Sequence, residues 1–200
     1  MTTSASTPRL RITLYWYLAV LVSTALSAPP SLHPGLATVI DAGALLCVSL
    51  AVLGRIWCSV YIAGRKDADM VTEGPYSLCR HPLYSLSMLG GLGLGAATHS
   101  LVLSLATLAL LVGLFSRAAT AEERYLAGRH GAAFERYRDA TPRFLPSRLR
   151  HALAESIAIQ PRVLWKAFVD GSAFLLLYVL VVAARDAAGS GVLPTLFGLP

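Results

Sequence analysis

Five apolar runs set the terms for this chain: residues 12–28, 36–54, 83–98, 100–116 and part of 163–184. Three of them carry no charged side chain, and the second carries only Asp41. A helix that crosses a bilayer needs about 20 mainly apolar residues, and these runs reach or approach that length. The composition agrees, with 55% hydrophobic and only 14% charged residues, where a soluble globular chain carries roughly 25% charged. The expected fold is therefore all-α, a polytopic membrane helix bundle of about five transmembrane helices with the bilayer as its solvent. The fifth run is the least regular. Its uncharged part, 171–184, gives about 21 Å of helix, so Lys166 and Asp170 belong at an interface or snorkel to it. Only His99 separates the third and fourth runs, which predicts a tight helical hairpin. Pro29-Pro30 is a poor end to a signal peptide, and further apolar runs follow it.

The 17 basic residues orient this bundle. Arg9 and Arg11 precede the first run, four lie from 55 to 80, ten lie from 117 to 166, and Arg185 stands apart. No Lys or Arg occurs in 29–34 or 97–100, so the positive-inside rule places those turns outside. The N-terminus and the 55–82 and 117–166 segments are then cytoplasmic, the signature of an integral multi-pass membrane protein. The net charge of +6 is mainly a topology signal. It suits anionic lipid headgroups and lacks the interleaved aromatics of a nucleic-acid surface, so no nucleic-acid partner is expected. Cys47, Cys58 and Cys79 are odd in number and lack C-x-x-C spacing, which argues against a disulfide framework and a zinc site; no metal is expected. The chain reads as one domain over 1–200 without repeats, with a polar tail at 2–8 that frays.

The hairpin has a consequence for chemistry, because it brings its two ends together. The polar segments 64–82 and 117–161 flank those ends, so Arg80-His81 and Glu122-Glu123 are expected to be neighbours on the cytoplasmic side. Pro82 suits the first turn of the third helix and leaves Arg80 and His81 at its start. Orphan amides there favour an anionic ligand, and Arg80 adds a fixed charge. The same residues suit a bland reading equally well: Arg80 as a positive-inside anchor, His81 as a cap, Tyr84 as an interfacial aromatic. Adjacent carboxylates on a helix diverge by about 100°, so one of Glu122 and Glu123 can face the bundle. Between them, Arg80, His81 and a carboxylate could grip a zwitterion. Tyr125, Leu126, Phe134 and Tyr137 alternate with Arg124, Arg129, Arg136 and Arg138, a pattern suited to the headgroup region. The G-x-G-x-G within 90–95 lies in an apolar run with no strand before it, and reads as close helix packing rather than a nucleotide loop.

Taken together, Gly74-Pro75-Tyr76, Arg80-His81-Pro82-x-Tyr84, Glu122-Glu123-x-x-Leu126, Gly131-x-x-Phe134-x-x-Tyr137 and Pro142-Arg143-x-x-Pro146 resemble the isoprenylcysteine carboxyl methyltransferase family, with phospholipid N-methyltransferases as relatives. The resemblance spans 74–146 and leaves 147–200, with the fifth run, outside it. It implies S-adenosylmethionine bound on the cytoplasmic side and a lipophilic or prenylated substrate entering from the bilayer. It also implies that Arg80, His81, Tyr84, Glu122 and Glu123 form the cofactor site, with Arg80, Glu123 and Arg143 as the catalytic candidates. A related family of NADPH-dependent sterol-type reductases carries H-P-N-Y followed by Gly-Glu, where Leu83 and Ser85-Leu86 stand here. The expected activity is methyl transfer to a lipophilic carboxylate, which is ionised at neutral pH and needs no base. Phospholipid N-methylation is the rival. A transporter or other non-enzymatic membrane protein is the lesser alternative, since a transporter is expected to show interrupted helices or polar residues at mid-membrane depth.

Overall fold

The computed structural model describes residues 6–63, 70–146, 157 and 160–198. The expected tail at 2–8 and parts of the two polar segments fall largely outside that set. The chain forms α1 (Ser6–Leu26), α2 (Pro34–Ile62), the short α3 (Pro75–Leu78), α4 (Pro82–Ala96), α5 (Leu101–His130), α6 (Ala132–Ala140) and α7 (Pro161–Gly189). A two-residue parallel pairing of β1 (Ser27–Ala28) with β2 (Phe197–Gly198) is the one exception to an all-α fold among the described residues.

Local sequence explains the boundaries. Proline opens α2, α4 and α7, where its missing amide costs nothing. The Ser100 side chain caps α5 by accepting from the Leu103 amide. α5 ends where Gly131 takes a positive φ of 50°. Between α4 and α5 lies the expected tight turn, in which His99 occupies the left-handed region at φ 61°.

Two helices overrun their expected ends. The second run was expected to stop before Arg55, but the apolar Ile56-Trp57-Cys58 stretch contains no breaker and α2 continues to Ile62. Arg55 is thus inside the helix rather than in the connecting segment. α5 likewise runs unbroken past Ser116 to His130, so Glu122 and Glu123 sit on it two turns before its end. By length and composition α2, α5 and α7 can cross a membrane. α4 has only 15 residues, and α1 begins with Arg9 and Arg11 in its first two turns.

α4 is clamped between α2 and α5, and its glycines make that possible. A Cβ on Gly93 would come within 2.7 Å of the Ala44 carbonyl of α2, and one on Gly95 within 2.7 Å of Ser104 Cα of α5. Small residues in lipid act in this way because backbones gain dispersion contacts when they approach. Fully buried Val48 and Leu94 meet beside this contact, with Tyr17 of α1 and Phe174 of α7 packed around them.

The two ends of the bundle are closed differently. At the turn end, Arg185 of α7 is 7% exposed and donates to Asp41 Oδ1 of α2 (2.6 Å), the Ala97 carbonyl (3.0 Å) and Asp186 Oδ1 (2.9 Å). His99 Nε2 lies 2.8 Å from the same Asp41 oxygen. At the motif end, the 142–146 segment is strapped across the start of α4: Arg80 N donates to the Pro142 carbonyl (2.8 Å) and His81 N to the Arg143 carbonyl (3.1 Å). Ser85 Oγ donates to the Phe144 carbonyl at 2.7 Å, and Tyr137 Oη of α6 to the Tyr76 carbonyl at 2.6 Å.

Two stability effects are expected. Gly95→Ala drives a Cβ against backbone and should destabilise the bundle by about 1–3 kcal/mol, read as a lowered thermal midpoint in detergent. Gly113→Ala is the control: nothing lies within 4 Å of its Cβ, and it should be neutral or stabilising by up to about 1 kcal/mol. Tyr137→Phe deprives the Tyr76 carbonyl of its donor and should cost about 1–3 kcal/mol, seen as a lower midpoint and faster proteolysis of the strap.

Candidate active site

The candidate site residues Arg80, His81, Tyr84, Glu122, Glu123 and Arg143 meet at the motif end. His81 is the N-cap residue of α4, but its side chain makes no cap hydrogen bond, which leaves the ring free to face α5. That ring is buried and stacks on Tyr84 with centroids 5.5 Å apart, and Tyr84 stacks in turn on Phe115 of α5 at 5.1 Å. His81 Nε2 lies 2.9 Å from Glu123 Oε1 and Nδ1 lies 3.6 Å from Glu122 Oε2. Tyr84 Oη donates to Glu122 Oε2 at 3.1 Å.

The two carboxylates diverge as neighbours on a helix must. The Glu123 side chain is 17% exposed and the Glu122 side chain 46%. Glu123 Oε1 is also 3.4 Å from Arg80 Nη1 and 3.3 Å from Arg143 Nε. One carboxylate oxygen therefore faces two guanidiniums and an imidazole. Arg143 is held from behind, where Nη2 donates to Thr120 Oγ1 at 2.5 Å and to the Ser116 carbonyl at 3.4 Å. Its guanidinium also lies 5.4 Å from the Phe144 ring centroid.

Donors are in excess here. Arg80 Nε and Tyr76 Oη are buried without a hydrogen-bond partner, and Arg80 Nη1 and Arg143 Nε meet the Glu123 oxygen only as ion-pair contacts without hydrogen-bond geometry. A buried donor left unmade costs about 1–3 kcal/mol, so these atoms suit an anionic group brought by a ligand. Burial pushes the Tyr76 and Tyr137 phenols up, which keeps both neutral donors near neutral pH. Burial likewise pushes the Cys79 thiol up, against the opposing effect of Ser85, and a thiol held protonated is a poor nucleophile and metal ligand. Among the described residues no three His, Cys, Asp or Glu side chains are placed to share a metal ion.

Sequence reasoning did not pick out Phe115 and Thr120. Both lie on the Glu123 face of α5, about two turns and one turn before it respectively, so the helical period carries a signal for them once α5 is known to continue past Ser116. Tyr76 belonged to a quoted motif without an assigned contact.

The model of the isoprenylcysteine carboxyl methyltransferase (ICMT) family matches residues 35–128, a stretch that includes Arg80, His81, Tyr84, Glu122 and Glu123 and stops short of Arg143. The chain is 37% identical over 156 residues to the nickel-cobalt-cadmium resistance protein NccN of Alcaligenes xylosoxydans xylosoxydans, covering 78% of this chain and 73% of that protein. It is 52% identical over 103 residues to the cobalt-zinc-cadmium resistance protein CzcN of Cupriavidus metallidurans, covering 51% and 47%. It is also 35% identical over 81 residues to the protein-S-isoprenylcysteine O-methyltransferase of Schizosaccharomyces pombe, covering 40% and 34%. No solved structure is significantly similar to it. With three helices fit to cross a membrane and these relatives, the chain belongs to the isoprenylcysteine carboxyl methyltransferase family of membrane methyltransferases.

Proposed function

We propose that this protein transfers a methyl group from S-adenosylmethionine to a lipophilic acceptor held in the bilayer, and that the acceptor group is a carboxylate. The observation that carries the reading is the set of orphaned donors on Arg80 and Arg143 beside Glu123. The methionine end of S-adenosylmethionine is a zwitterion, and this donor set fits it: the guanidiniums of Arg80 and Arg143 for the carboxylate, Glu122 and Glu123 for the ammonium. The stacked rings of His81, Tyr84 and Phe115 offer a flat apolar wall beside that grip. When bound, the cofactor supplies an electrophilic methyl on a sulfonium.

The protein's own work is then alignment and exclusion of water, and orientation alone can supply about 7–11 kcal/mol of a barrier. Glu123 is engaged by two guanidiniums and His81. A carboxylate acceptor is already ionised and needs no base. The His81–Glu123 contact at 2.9 Å supports one second reading, phospholipid N-methylation, because an amine must first lose a proton and His81 is the best-placed group to take it. The names of two relatives attach to metal resistance. Under the methyl-transfer reading, such a role would reach this chain through modification of a membrane component.

Purified protein should bind S-adenosylmethionine by calorimetry, and His81→Ala and Glu123→Gln should each weaken binding by about 10- to 150-fold, the worth of a charge-assisted hydrogen bond. Arg80→Lys keeps the charge and loses the planar fork; it should insert normally and lose most methyl transfer, with Arg162→Lys, at an exposed position, as an unaffected control. Labelling membranes with methyl-tritiated cofactor should yield a product that mild alkali converts to volatile methanol. An alkali-stable product moves the acceptor to an amine, and absence of cofactor binding overturns the reading. The motif end carries most of the basic residues and is assigned to the cytoplasm. On intact cells an impermeant thiol reagent should label Ser31→Cys and spare Ala132→Cys, both exposed positions; the reverse pattern would place the site on the wrong side for its cofactor.

A further inference from the structure

Arg55 takes no part in the site above, yet it is the other arginine whose guanidinium is left incomplete. It lies seven residues before the end of α2 at Ile62, about 10 Å inward at 1.5 Å per residue. An arginine at such depth is costly, and where it occurs it pairs with a charge or binds something. Arg55 Nη1 donates to Ser87 Oγ of α4 at 2.5 Å, and its Cζ lies 5.5 Å from the Phe174 ring centroid of α7. Its Nε is buried without a hydrogen-bond partner. No carboxylate among the described residues comes within ion-pair distance. Asp170, whose charge acts on Arg55 from α7, is held by Lys166 at 2.9 Å.

Three helices converge on this spot because small residues let them approach. A Cβ on Gly90 would lie 2.9 Å from both Ala51 Cβ and Phe174 Cε1, and one on Gly171 would lie 2.9 Å from Val52 Cγ1. The guanidinium is therefore pinned on one side by Ser87 and on its face by Phe174. What remains is the edge formed by Nε and Nη2, which can grip a carboxylate or phosphate with two parallel hydrogen bonds.

We propose that Arg55, pinned by Ser87, whose own hydroxyl donates to the Leu83 carbonyl, forms a second anion site, at membrane depth, which takes the ionised head of an alkyl-chain amphiphile arriving from the bilayer. As the place where the methyl acceptor's head is held, this site deepens the methyl-transfer reading and rests on it. As an anion site it stands without it. The head chemistry it selects is a carboxylate or a phosphate on an apolar tail, and a neutral or cationic head gains nothing there.

The test uses the full chain in phosphatidylcholine nanodiscs, titrated separately with radiolabelled palmitate, hexadecyl phosphate and hexadecanol. At least one of the two anions should bind about tenfold or more tightly than hexadecanol, and Arg55→Gln should lower that affinity by about tenfold or more while leaving hexadecanol unchanged. Preference for palmitate identifies a carboxylate head and preference for hexadecyl phosphate a lipid phosphate; either supports the site. Equal binding of hexadecanol, or anion binding unchanged in Arg55→Gln, overturns it. If Arg55→Gln fails to assemble, Arg55→Lys keeps the charge and removes the edge: a similar loss supports the site and full affinity overturns it. S-adenosylmethionine titrated into the wild type is a separate arm, whose failure would end the methyl-transfer reading and leave the Arg55 result standing.

Discussion

How near α4 can lie to α2 and α5 decides where everything else goes. The α4–α5 turn closes over 97–100, so the two helices run back antiparallel from a fixed point. α4 has 15 residues and is about 22 Å long at 1.5 Å per residue, while α5 has 30. The start of α4 therefore comes level with the middle of α5, and the Tyr84–Phe115 stack marks that level. The second half of α5 projects beyond it and carries Thr120, Glu122 and Glu123 past the Arg80-His81 corner. Had Gly93 or Gly95 carried a side chain, α4 would stand off from its neighbours. The 2.9 Å contact of His81 with Glu123 depends on that separation.

Convergence of Arg80, His81 and Arg143 on one Glu123 oxygen then sets the chemistry of the corner. A single inward oxygen meets two guanidiniums and an imidazole at once, so none is fully satisfied and Arg80 Nε is left with nothing to bond. In a site partly shielded from water such a donor attracts an anion more strongly than it would at an open surface. Glu122, half in solvent, is bonded to Tyr84 and lies 3.6 Å from His81 Nδ1 on the same wall. Opposite charges a few ångströms apart on one wall complement an amino-acid zwitterion. The strap at 142–146 completes that wall by backbone hydrogen bonds to the residues just before α4, so Arg143 is positioned by the same peptide groups that position Arg80.

How much of this was legible in the sequence differs by residue. The meeting of Arg80-His81 with Glu122-Glu123 followed from topology alone, because a one-residue interruption at His99 permits only a hairpin, and hairpin ends meet. The packing role of the glycines in 90–95 was legible from their apolar context. Arg55 was misplaced because charge was taken as the end of a run, whereas a helix ends where backbone geometry changes; residues 56–62 contain neither Gly nor Pro, and nothing stopped the helix there. Asp41 was seen only as a charge near a helix end. Its partners His99 and Arg185 lie 58 and 144 positions away, and no local pattern links them. Arg143 was placed by motif resemblance, but its hydrogen bond to Thr120 required knowing that α5 continues.

The four arginines within the bundle separate into two kinds, and the molecule supplies its own standard. Arg185 shows how a buried guanidinium is finished when its task is to hold helices: Nε and Nη2 go to Asp186, Nη1 to Asp41 and the Ala97 carbonyl, and Nη2 also reaches Asp41. With its donors used, α7, α2 and the α4–α5 turn are locked by one side chain. Arg55, Arg80 and Arg143 each keep at least one buried nitrogen without a hydrogen bond. Where water is scarce, an unused donor has no cheap substitute partner, so three incomplete guanidiniums cost stability that the fold shows itself able to recover at Arg185. All three lie in the motif half of the bundle, Arg80 and Arg143 around Glu123 and Arg55 about 10 Å along α2 from that end. Under the proposed methyl transfer, Arg80 and Arg143 would serve the polar cofactor at the corner and Arg55 the lipid-anchored acceptor further along α2.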